Sequence, residues 1–568
     1  MMTKHIVVIG GVALGTKAAC RLKRLSPDTE VTLLDKDEKI SYGGCGIPYY
    51  VSGDVAEAED LQSTAFHMVR DAEFFRKIKG FKVLTGTEAI CIDRENKRVF
   101  AKNAKGERLE LPYDKLVLGT GSRPRNLNIP GQDLENIYSV GNLVDAIRIK
   151  DLIAKGNIGK AVIVGAGFIG LEMAEAFTDM WGIETSVVEV SDRIMPGNVS
   201  RPMARMAMKT MEDNGVSFYL NERVLRFEGN GPVERVVTDK QTLDADIVIM
   251  AVGIQANSEL AKDTGLEVGV TGGIVVNSRL ETSDPDIYAG GDCVQVPNLV
   301  DGEPGFYPLG SIANRHGRII GTNLAGGQAS IEGALGSFVV KLFDSSLAGT
   351  GLTLAMAQKS GFDAVSVRMG QLDRAHFYPE KDFMFFELVV ERKTKRILGI
   401  QGFGTSGDAM VGRINTVAAI LKYKPLLEDI SNLEFAYSPP FSSAMDIVNA
   451  LANVAENALD GHLKVIDHES VEALWLNDEN SDSYFLDCRE QLDAAPLLEK
   501  YPGRWHNIPQ GELKDRIAEV PRDKNIILVC NSGMRSYEAQ LNLRNLGIYK
   551  TQSVEGGMKM LKTWGSEI

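Results

Sequence analysis

The chain has 568 residues, of which 44% are hydrophobic and 24% charged, and its formal net charge is −14. That length is enough for three or four domains, and the acidic balance argues against nucleic acid as a partner. The N-terminus lacks the basic start and cleavage site of a signal peptide, and no uncharged apolar run reaches the roughly 18 residues of a membrane helix. The sequence therefore predicts a cytoplasmic protein with no membrane partner.

The chain contains six cysteines and seven histidines, and their spacing matters more than their number. Six cysteines in a chain of this length do not form a disulfide scaffold, and no two of them lie at C-x-x-C spacing. The histidines form no H-x-x-x-H pattern. We therefore expect neither a zinc site nor any other metal site.

The first predicted elements are a strand, a glycine-rich turn, a helix and a second strand, at residues 6–10, 11–15, 16–25 and 31–35. The same order recurs from residue 161, with an apolar strand, a glycine motif, a helix through Phe177 and a strand over residues 185–190. Two β-α-β units of this kind predict an α/β fold with two Rossmann-like dinucleotide-binding domains.

The second glycine motif is the more regular one. Gly165, Gly167 and Gly170 fit G-x-G-x-x-G directly after an apolar strand, a pattern that lets a pyrophosphate approach the backbone and a helix N-terminus. Glu189 ends the next strand, where a carboxylate can accept hydrogen bonds from a ribose 2′-hydroxyl and would repel a 2′-phosphate. This favours NADH, while Arg193 nearby leaves NADPH open.

The first glycine motif is degenerate, since Gly10 and Gly15 occupy its outer positions and Val12 its middle one. Asp35 ends the following strand, 20 residues past Gly15, and suits a ribose diol. Two distant segments support a second nucleotide site: L-V-L-G-T-G-S-R-P over residues 116–124, and T-S-D-P-D-I-Y-A-G-G-D over residues 282–292.

With these segments the chain resembles the pyridine nucleotide–disulfide oxidoreductases, from residue 1 to about 450. The resemblance implies that Asp292 holds the ribityl or phosphate region of FAD. It also implies that a helix over residues 312–324 points its positive end at the flavin ring, where it would stabilise negative charge. The other cofactor contacts that it implies are Ser41, Gly121, Arg123 and Gly253.

A third region, over residues 331–457, has three strand-like segments followed by two helices and is predicted to be an α+β domain, which the resemblance makes a dimerisation domain. The resemblance divides the preceding residues into an FAD-binding region and an NADH-binding region, and a polar stretch after the dimerisation domain is expected to be a linker to the C-terminal region. The FAD-binding region is expected over residues 1–150 and 281–330, and the NADH-binding region over residues 151–280. The linker is expected over residues 458–464 and the C-terminal region over residues 465–568.

The segment over residues 41–50 reads S-Y-G-G-C-G-I-P-Y-Y and places Cys45 in a glycine-rich loop. Two-cysteine members of the family carry a C-x4-C pair, but the positions five away from Cys45 are Ile40 and Tyr50, so no dithiol can form within this segment. The S-x-x-x-C-G-x-P-Y pattern resembles that of coenzyme A disulfide reductases, persulfide reductases and NADH oxidases. A nucleophilic thiolate needs a lowered pKa, which the loop and the helix start near Pro48 could supply.

Other cysteines lack these surroundings, so Cys20, Cys91 and Cys293 are interpreted as core residues. A buried structural role is also the alternative for Cys45. In coenzyme A disulfide reductases two tyrosines reach the partner subunit's cysteine, and the resemblance places them at Tyr378 and Tyr437. A phenol could stabilise a leaving thiolate or donate a proton in a homodimer, or simply pack at the interface.

A coenzyme A site requires cations for its phosphates. Lys17, Arg21 and Arg24 are spaced i, i+4, i+7 on the first helix and share one face. The resemblance adds Lys79 and Ser41 to this set, with coenzyme A as substrate or as bound cofactor. The alternative is a solvated helix face whose cations favour the helix C-terminus.

The C-terminal region carries C-N-S-G-M-R-S from Cys530 to Ser536, directly after a strand over residues 526–529. This resembles the rhodanese loop C-x-x-G-x-R-S, and the resemblance covers residues 465–568 as an α/β domain. A cysteine ringed by backbone N–H groups, with Arg535 in the ring, is a stabilised thiolate that can carry a persulfide sulfur. A phosphatase is the weaker interpretation, and Cys488 is interpreted as a core residue.

These features predict a reductase of persulfides, polysulfides or coenzyme A disulfides. In the hypothesis, Cys530 accepts a sulfane sulfur and Cys45 releases it as sulfide with electrons from NADH. One alternative is an NADH oxidase or peroxidase with Cys45 as a sulfenic acid. Another is a reductase whose rhodanese-like part is a non-catalytic sulfur carrier that docks a partner protein.

Overall fold

A computed structural model describes residues 4–476, 482–566 and 568, which form two compact units. The first comprises Met1–Asp192 with Asn214–Ala334, and the second comprises Arg193–Asp213 with Leu335–Ile568. The second unit therefore unites the predicted dimerisation and rhodanese-like regions. Within the described residues, no helix has both the length and the apolar character needed to cross a membrane.

Two parallel five-stranded sheets frame the first unit. Their central strands are uninterrupted apolar runs, because strands of a parallel sheet are covered on both faces. In spatial order, the first sheet consists of Ile287–Ala289, Lys115–Leu118, His5–Ile9, Glu30–Leu34 and Lys82–Leu84. The second consists of Val216–Leu220, Glu184–Glu189, Lys160–Val164, Ile247–Met250 and Ile137–Tyr138.

Smaller sheets and several helices complete the first unit. Two antiparallel three-stranded sheets consist of Thr87–Asp93, Arg98–Asn103 and Arg108–Pro112, and of Val224–Glu228, Arg235–Thr238 and Thr242–Asp244. Two further small sheets pair Ser122–Pro124 with Ile254–Ala256, and Ile274–Val275 with Val294–Pro297 and Pro304–Gly305. The helices and helical turns are Leu14–Leu25, Gly44–Gly46, Ile47–Ser52, Ala58–Gln62, Ala72–Phe74, Phe75–Lys79, Leu143–Ala154, Phe168–Glu175, Ala176–Met180, Glu259–Asp263, Gly291–Cys293 and Gly310–Leu324.

The helices Leu14–Leu25 and Gly310–Leu324 pack closely against each other. The crossing uses two glycines: a Cβ on Gly317 would lie 2.6 Å from the carbonyl oxygen of Leu14, and one on Gly321 would lie 2.5 Å from that of Ala18. Any larger residue at either position would force the helices apart.

The second unit contains an antiparallel five-stranded sheet, in the order Phe338–Leu342, Ser345–Gly351, Ile397–Gly404, Phe383–Glu391 and Ala364–Leu372. The helices of this region are Arg201–Asp213, Leu354–Lys359, Gly407–Leu421, Leu427–Ser431 and Ile447–Leu459. The last of these continues into the segment that was expected to be a linker, residues 458–464. The link between the two regions is therefore shorter than the polar composition indicated.

The other sheet of the second unit is parallel, in the order Val465–Ile466, Thr551–Val554, Asn525–Val529, Ser483–Asp487 and Trp505–Asn507. Its helices and helical turns are His468–Leu476, Gln491–Lys500, Gln510–Glu512, Ile517–Glu519, Met534–Asn545 and Gly557–Trp564. Separate apolar clusters cover its two faces. The predicted fold class is confirmed: two Rossmann-like domains, an α+β domain and a C-terminal α/β domain.

Candidate functional site

The second glycine loop has the geometry of a dinucleotide site. A Cβ on Gly165 would lie 2.4 Å from the carbonyl oxygen of Ala251, and one on Gly170 would lie 2.0 Å from that of Gly165, so both positions require glycine. Gly167 faces open space. The carboxylate of Glu189 accepts a hydrogen bond from the backbone N–H of Ala166 at 2.9 Å, which fixes the acid against the loop.

The first loop is built in the same way despite its degenerate motif. A Cβ on Gly10 would lie 2.0 Å from the carbonyl oxygen of Gly119, and one on Gly15 would lie 1.9 Å from that of Gly10. The carboxylate of Asp35 accepts a hydrogen bond from the backbone N–H of Gly11 at 2.6 Å. Ser41 joins this loop through its backbone, since its N–H donates to the carbonyl oxygen of Gly11 at 2.9 Å.

The other predicted cofactor residues of the first unit divide into turn glycines and one paired arginine. Gly121 and Gly253 both have positive φ, at 68° and 93°, which explains the need for glycine there. The guanidinium of Arg123 donates to Asn257 Oδ1 at 2.7 Å and forms an ion pair with Glu259. The guanidinium of Arg123 is therefore held beside the loop by Asn257 and Glu259.

Asp292 lies in the short helical turn Gly291–Cys293, after the strand Ile287–Ala289. Burial raises the pKa of its carboxyl to about 6, and the Ser122 hydroxyl donates to it at 3.3 Å. Nearby, His316 Nδ1 accepts from the Gly291 N–H at 3.1 Å, and His316 Nε2 has no hydrogen-bond partner among the described residues. These buried polar groups fit the hydroxyls and phosphates of a bound flavin nucleotide.

Cys45 lies in the helical turn Gly44–Gly46, directly before the helix Ile47–Ser52, and is exposed. The backbone N–H of Gly310, the first residue of the helix Gly310–Leu324, lowers the pKa of the Cys45 thiol. A Cβ on Gly310 would lie 3.4 Å from Cys45 Sγ. The redox candidate is therefore placed at the positive end of a helix that is distant in sequence.

The expected lowered pKa of Cys45 is wrong for this structure. Although the residue reaches solvent, desolvation by the surrounding chain raises the pKa of the thiol, and the negative charge of Glu172 raises it further. The N–H groups of Gly310 and Cys45 oppose this effect without reversing it. The N–H groups expected near Pro48 are not among the causes that lower the pKa.

Glu172 is a site residue that the sequence interpretation missed. Burial raises the pKa of its carboxyl to about 7, and the charge of Glu175 adds to this. Glu172 lines a cleft with Pro48, Tyr49 and Asp179. Its one signal in the sequence is an acidic residue two positions after Gly170, on the helix of the second glycine loop.

Most of the cations predicted to bind coenzyme A converge on Cys20. Burial raises the pKa of the Cys20 thiol, and the positive charges of Lys79, Arg24, Lys17 and Arg70 oppose that shift. Arg70 was not predicted. Arg21 differs, because its Nε donates to the Thr322 hydroxyl at 3.1 Å.

The three cysteines interpreted as core residues have different surroundings. Cys293 is buried, as expected. Cys20 is partly exposed, and Cys91 is exposed on the strand Thr87–Asp93, so the interpretation is wrong for Cys91. Cys91 lies in an antiparallel sheet that the sequence analysis did not predict, with one face open to solvent.

In the second unit the two predicted tyrosines lie on adjacent loops, since the N–H of Ala375 donates to the carbonyl oxygen of Pro439 at 3.3 Å. Tyr378 is half-buried, with the guanidinium of Arg374 5.9 Å from its ring centroid, and Tyr437 is exposed. Exposed apolar residues lie beside the two tyrosines, and together with them form a surface that we call the tyrosine surface. They are Phe377, Phe441 and Met445.

The loop after the strand Asn525–Val529 encloses Cys530. The backbone N–H of Gly533 donates to Cys530 Sγ at 3.1 Å, and the Ser536 hydroxyl lies 3.4 Å from it. Gly533 has φ +98° and caps the helix Met534–Asn545. Arg535 is turned towards the exposed Glu490, with 4.0 Å between the charged atoms.

Three protein-family descriptions match successive parts of the chain. Residues 4–303 match pyridine nucleotide-disulphide oxidoreductase, and residues 337–448 match the dimerisation domain of that family. The chain belongs to the pyridine nucleotide-disulphide oxidoreductase family. Residues 470–563 match the rhodanese-like domain. FAD and NAD(P)H, which this family uses, fit the two glycine loops and the buried carboxyl of Asp292.

Solved structures and curated relatives extend this assignment. A NAD-dependent persulfide reductase from A. fulgidus has a TM-score of 0.92 at 37% identity, over 98% of this chain and 99% of that one. The reduced CoADR-RHD of Bacillus anthracis has a TM-score of 0.90 at 33% identity, over 99% of this chain and 98% of that one. The CoA-dependent NAD(P)H sulfur oxidoreductase of Pyrococcus abyssi is 35% identical over 79% of this chain and 98% of its own length. An NADH oxidase of Methanocaldococcus jannaschii is 32% identical over 80% of this chain and 98% of its own length.

Proposed function

We propose that this protein is an FAD-dependent, NADH-driven reductase of persulfides, polysulfides or coenzyme A disulfides that works through Cys45. The observation that carries the proposal is the contact between Cys45 Sγ and the N-terminus of the helix Gly310–Leu324, in a unit that also contains two dinucleotide loops. The two full-length structural neighbours, a persulfide reductase and a CoADR-RHD, support the same reaction class.

Bound FAD would supply two-electron transfer from the reduced nicotinamide to sulfur. For this chain's own residues, the thiolate of Cys45 attacks the outer sulfur of a persulfide, takes it, and expels the donor thiolate. Two electrons and a proton then break the bond between Cys45 Sγ and the added sulfur and release hydrogen sulfide, which restores the thiolate. With a coenzyme A disulfide, the same attack gives a mixed disulfide, and reduction releases the second coenzyme A thiolate.

NADH is the preferred reductant in this proposal because Glu189 ends the second strand of its β-α-β unit, buried and held by backbone N–H groups. A carboxylate there would repel a 2′-phosphate. The residue that kept NADPH open, Arg193, donates from its guanidinium to the carbonyl oxygen of Pro196 at 3.3 Å. This contact holds the Arg193 side chain against its own turn.

Coenzyme A would bind as substrate or carrier at the cations around Cys20. Lys17, Arg24, Lys79 and Arg70 bring four positive charges to one partly exposed place, which suits clustered phosphates. Arg21 would act through the helix packing, since Thr322 occupies its Nε.

The rhodanese-like region would deliver sulfane sulfur through Cys530. Its sulfur accepts an N–H from a loop that ends at a helix N-terminus, an arrangement that stabilises the negative charge of a persulfide. Arg535 would attract anionic donors at the loop entrance, because its side chain is partly exposed.

The protein would act as a homodimer, because residues 337–448 match the family's dimerisation domain. The tyrosine surface would then face the partner subunit, with Tyr378 and Tyr437 near the partner's redox cysteine. Its exposed aromatic rings are typical of interface cores.

A second candidate function, NADH oxidase, is favoured by relatives of that name and by the absence of a second cysteine within the segment around Cys45. In that reaction Cys45 would cycle as a sulfenic acid, with oxygen or peroxide as the acceptor.

The test is anaerobic NADH oxidation by the flavin-loaded protein, with coenzyme A persulfide and coenzyme A disulfide offered separately. Fast turnover with sulfide release on the persulfide supports the persulfide reductase, and turnover on the disulfide alone supports the disulfide reductase. A Cys45→Ser variant should lose both activities. Turnover only after oxygen is admitted would replace the proposal with the oxidase.

A further inference from the structure

Two cysteines of the rhodanese-like region occupy neighbouring ends of paired strands. The strands Ser483–Asp487 and Asn525–Val529 are parallel, with Asp487 opposite Val529. The next residue on each strand is a cysteine, Cys488 on one and Cys530 on the other. The pairing continues to this point, because the Cys488 N–H donates to the Val529 carbonyl oxygen at 2.8 Å.

The register also places the two side chains on one face of the sheet. Side chains alternate along a strand, and Leu486, Cys488 and Leu528 belong to one apolar cluster while Val529 belongs to the cluster on the other face. Cys530 follows Leu528 by two positions and so shares its face. Neighbouring strands lie about 4.8 Å apart, which falls within the range of about 4.4–6.8 Å that Cα atoms span in disulfides.

Electrostatics gives an independent sign of this proximity. Burial raises the pKa of the Cys488 thiol, and charge on Cys530 is the next largest cause that raises it. Both cysteines are buried, and both are free thiols. The proposed function uses Cys530 alone, so the Cys488 thiol has no role at that site.

We propose that Cys488 is a resolving cysteine for Cys530, and that the two close an intramolecular disulfide whenever Cys530 sulfur carries a leaving group. From a persulfide, Cys488 sulfur bonds to Cys530 sulfur and the bond to the sulfane sulfur breaks. The sulfane sulfur leaves with the electron pair and both protons as hydrogen sulfide, so no external oxidant or reductant is consumed. From a sulfenic acid, formed by hydrogen peroxide, the same attack releases water.

The buried position of Cys488 sets the timing of this reaction. A protonated thiol is a poor nucleophile, so closure is slow compared with transfer to an accepting thiolate. The disulfide therefore forms when a loaded Cys530 waits without an acceptor. It blocks the sulfur-accepting cysteine until a low-molecular-weight thiol reopens it in two exchange steps.

This inference rests on the rhodanese-like loop and not on Cys45, so the two proposals can fail separately. The experiment uses the full-length flavin-loaded protein, reduced and desalted under nitrogen, in three arms: inorganic polysulfide, hydrogen peroxide, and buffer. After blocking of free thiols and trypsin digestion, Cys488 lies in the peptide of residues 465–489 and Cys530 in that of residues 525–535. Mass spectrometry then measures the cross-linked pair.

The expected result is a cross-linked pair as the major product in the polysulfide and peroxide arms, absent from the buffer arm and removed by dithiothreitol. In Cys488→Ser and Cys488→Ala variants the pair is absent, and Cys530 keeps its added sulfur for longer. A Cys91→Ser variant, which removes an exposed cysteine, should behave as the natural chain does.

Persistent extra sulfur on Cys530 of the natural chain, with Cys488 recovered as a free thiol in both arms, would overturn the inference. So would a cross-link from Cys530 to any other cysteine. NADH oxidation with coenzyme A disulfide is measured on the same samples. A cross-link in a protein without that activity supports the resolving cysteine and counts against the proposed reductase.

Discussion

The guanidinium of Arg368 forms an ion pair with the carboxylate of Glu555, and both side chains are buried. Arg368 lies on the strand Ala364–Leu372 of the antiparallel sheet, and Glu555 directly precedes Gly556 and Gly557 in the rhodanese-like region. A second buried carboxylate, that of Glu387, lies 3.4 Å from the arginine. One cation thus holds two acids at the junction of the two regions.

The junction continues into the sulfur-carrying loop. A Cβ on Gly557 would lie 2.4 Å from the carbonyl oxygen of Cys530, and the N–H of Met558 donates to that oxygen at 2.8 Å. Glu555 is two residues away, and its own carbonyl oxygen lies 2.8 Å from His468 Nε2. We therefore expect changes at the ion pair to reach the loop.

Replacing Arg368 with alanine should destabilise the second unit by about 3–5 kcal/mol, because it leaves two buried carboxylates without their cation. Hydrogen exchange should show faster exchange at the amide of Met558. The control is Arg392→Ala, which removes an exposed pair with Asp363 and should cost about 0–1 kcal/mol. Equal effects of the two substitutions would contradict a structural role for the buried pair.

The stability of this junction should fall as pH rises towards neutrality. Burial raises the pKa of Glu555 from 4.5 to about 7, although Arg368 opposes the shift. Between these values the folded protein binds more protons at this site than the unfolded chain. The contribution to stability is thus present below pH 4.5 and lost as pH rises through about 7, by up to about 1.4 kcal/mol per pH unit.

The measurement is the unfolding midpoint at a series of pH values from 5.5 to 8, for the natural chain and for Glu555→Gln. The amide cannot titrate, so the natural chain should lose stability relative to the variant across this range. Parallel profiles for the two proteins would mean that Glu555 is ionised throughout.

Gly310→Pro should reduce the thiolate fraction of Cys45. Proline lacks the N–H that contacts the sulfur, yet it suits the first position of a helix, and the preceding Leu309 already has extended backbone angles. Loss of a hydrogen bond to a charged group, worth about 1.5 kcal/mol, corresponds to an alkylation rate about tenfold lower near neutral pH. Gly310→Ala keeps the N–H and is the control; an equal loss in both variants would assign the effect to crowding.

Glu172→Gln should have the opposite effect and increase the reactivity of Cys45. The carboxylate raises the pKa of the thiol only when it is ionised, and its own pKa is about 7. The alkylation rate should therefore rise about threefold above pH 7 and change little below pH 6, since a charge effect of this size is about half a pKa unit. Asp179→Asn, in the same cleft, is the matched control. A pH-independent increase would point to altered access instead.

Lys79→Ala should raise the KM for coenzyme A disulfide about threefold, the scale of one partly exposed charge, with little change in kcat. Lys77 is the matched control, because it lies on the same short segment and pairs with Glu73. Initial-rate kinetics with both variants would decide whether the charges around Cys20 serve the substrate. A rise in KM with Lys77→Ala alone would relocate the site.

The sequence predicted the parallel sheets well because buried parallel strands leave uninterrupted apolar runs between glycine turns. The glycine loops follow from local backbone chemistry in the same way, whereas the role of Asp292 is a prediction that rests on the family resemblance. The contact between Cys45 and Gly310 could not be predicted, because it joins segments that meet only in the folded chain. Desolvation of Cys45 by the surrounding chain reverses the expected direction of its pKa shift, and a sequence alone does not show this burial either.

The partnership of Cys488 with Cys530 illustrates the same limit. Cys488 was interpreted as a core residue, and it is buried. Its chemical neighbour depends on which strands pair and in which register, and a single sequence does not contain that information.

The glycine crossing of the helices Leu14–Leu25 and Gly310–Leu324 has a mechanical consequence. One helix carries Lys17, whose side chain packs against Gly317, and the exposed Arg24, and the other begins at Gly310 beside the sulfur of Cys45. Because Gly317 and Gly321 let the two backbones approach closely, backbone packing sets the spacing between these helices. In the proposed function, this spacing therefore sets the distance that a substrate whose phosphates are bound by these cations must span to bring its thiol to Cys45.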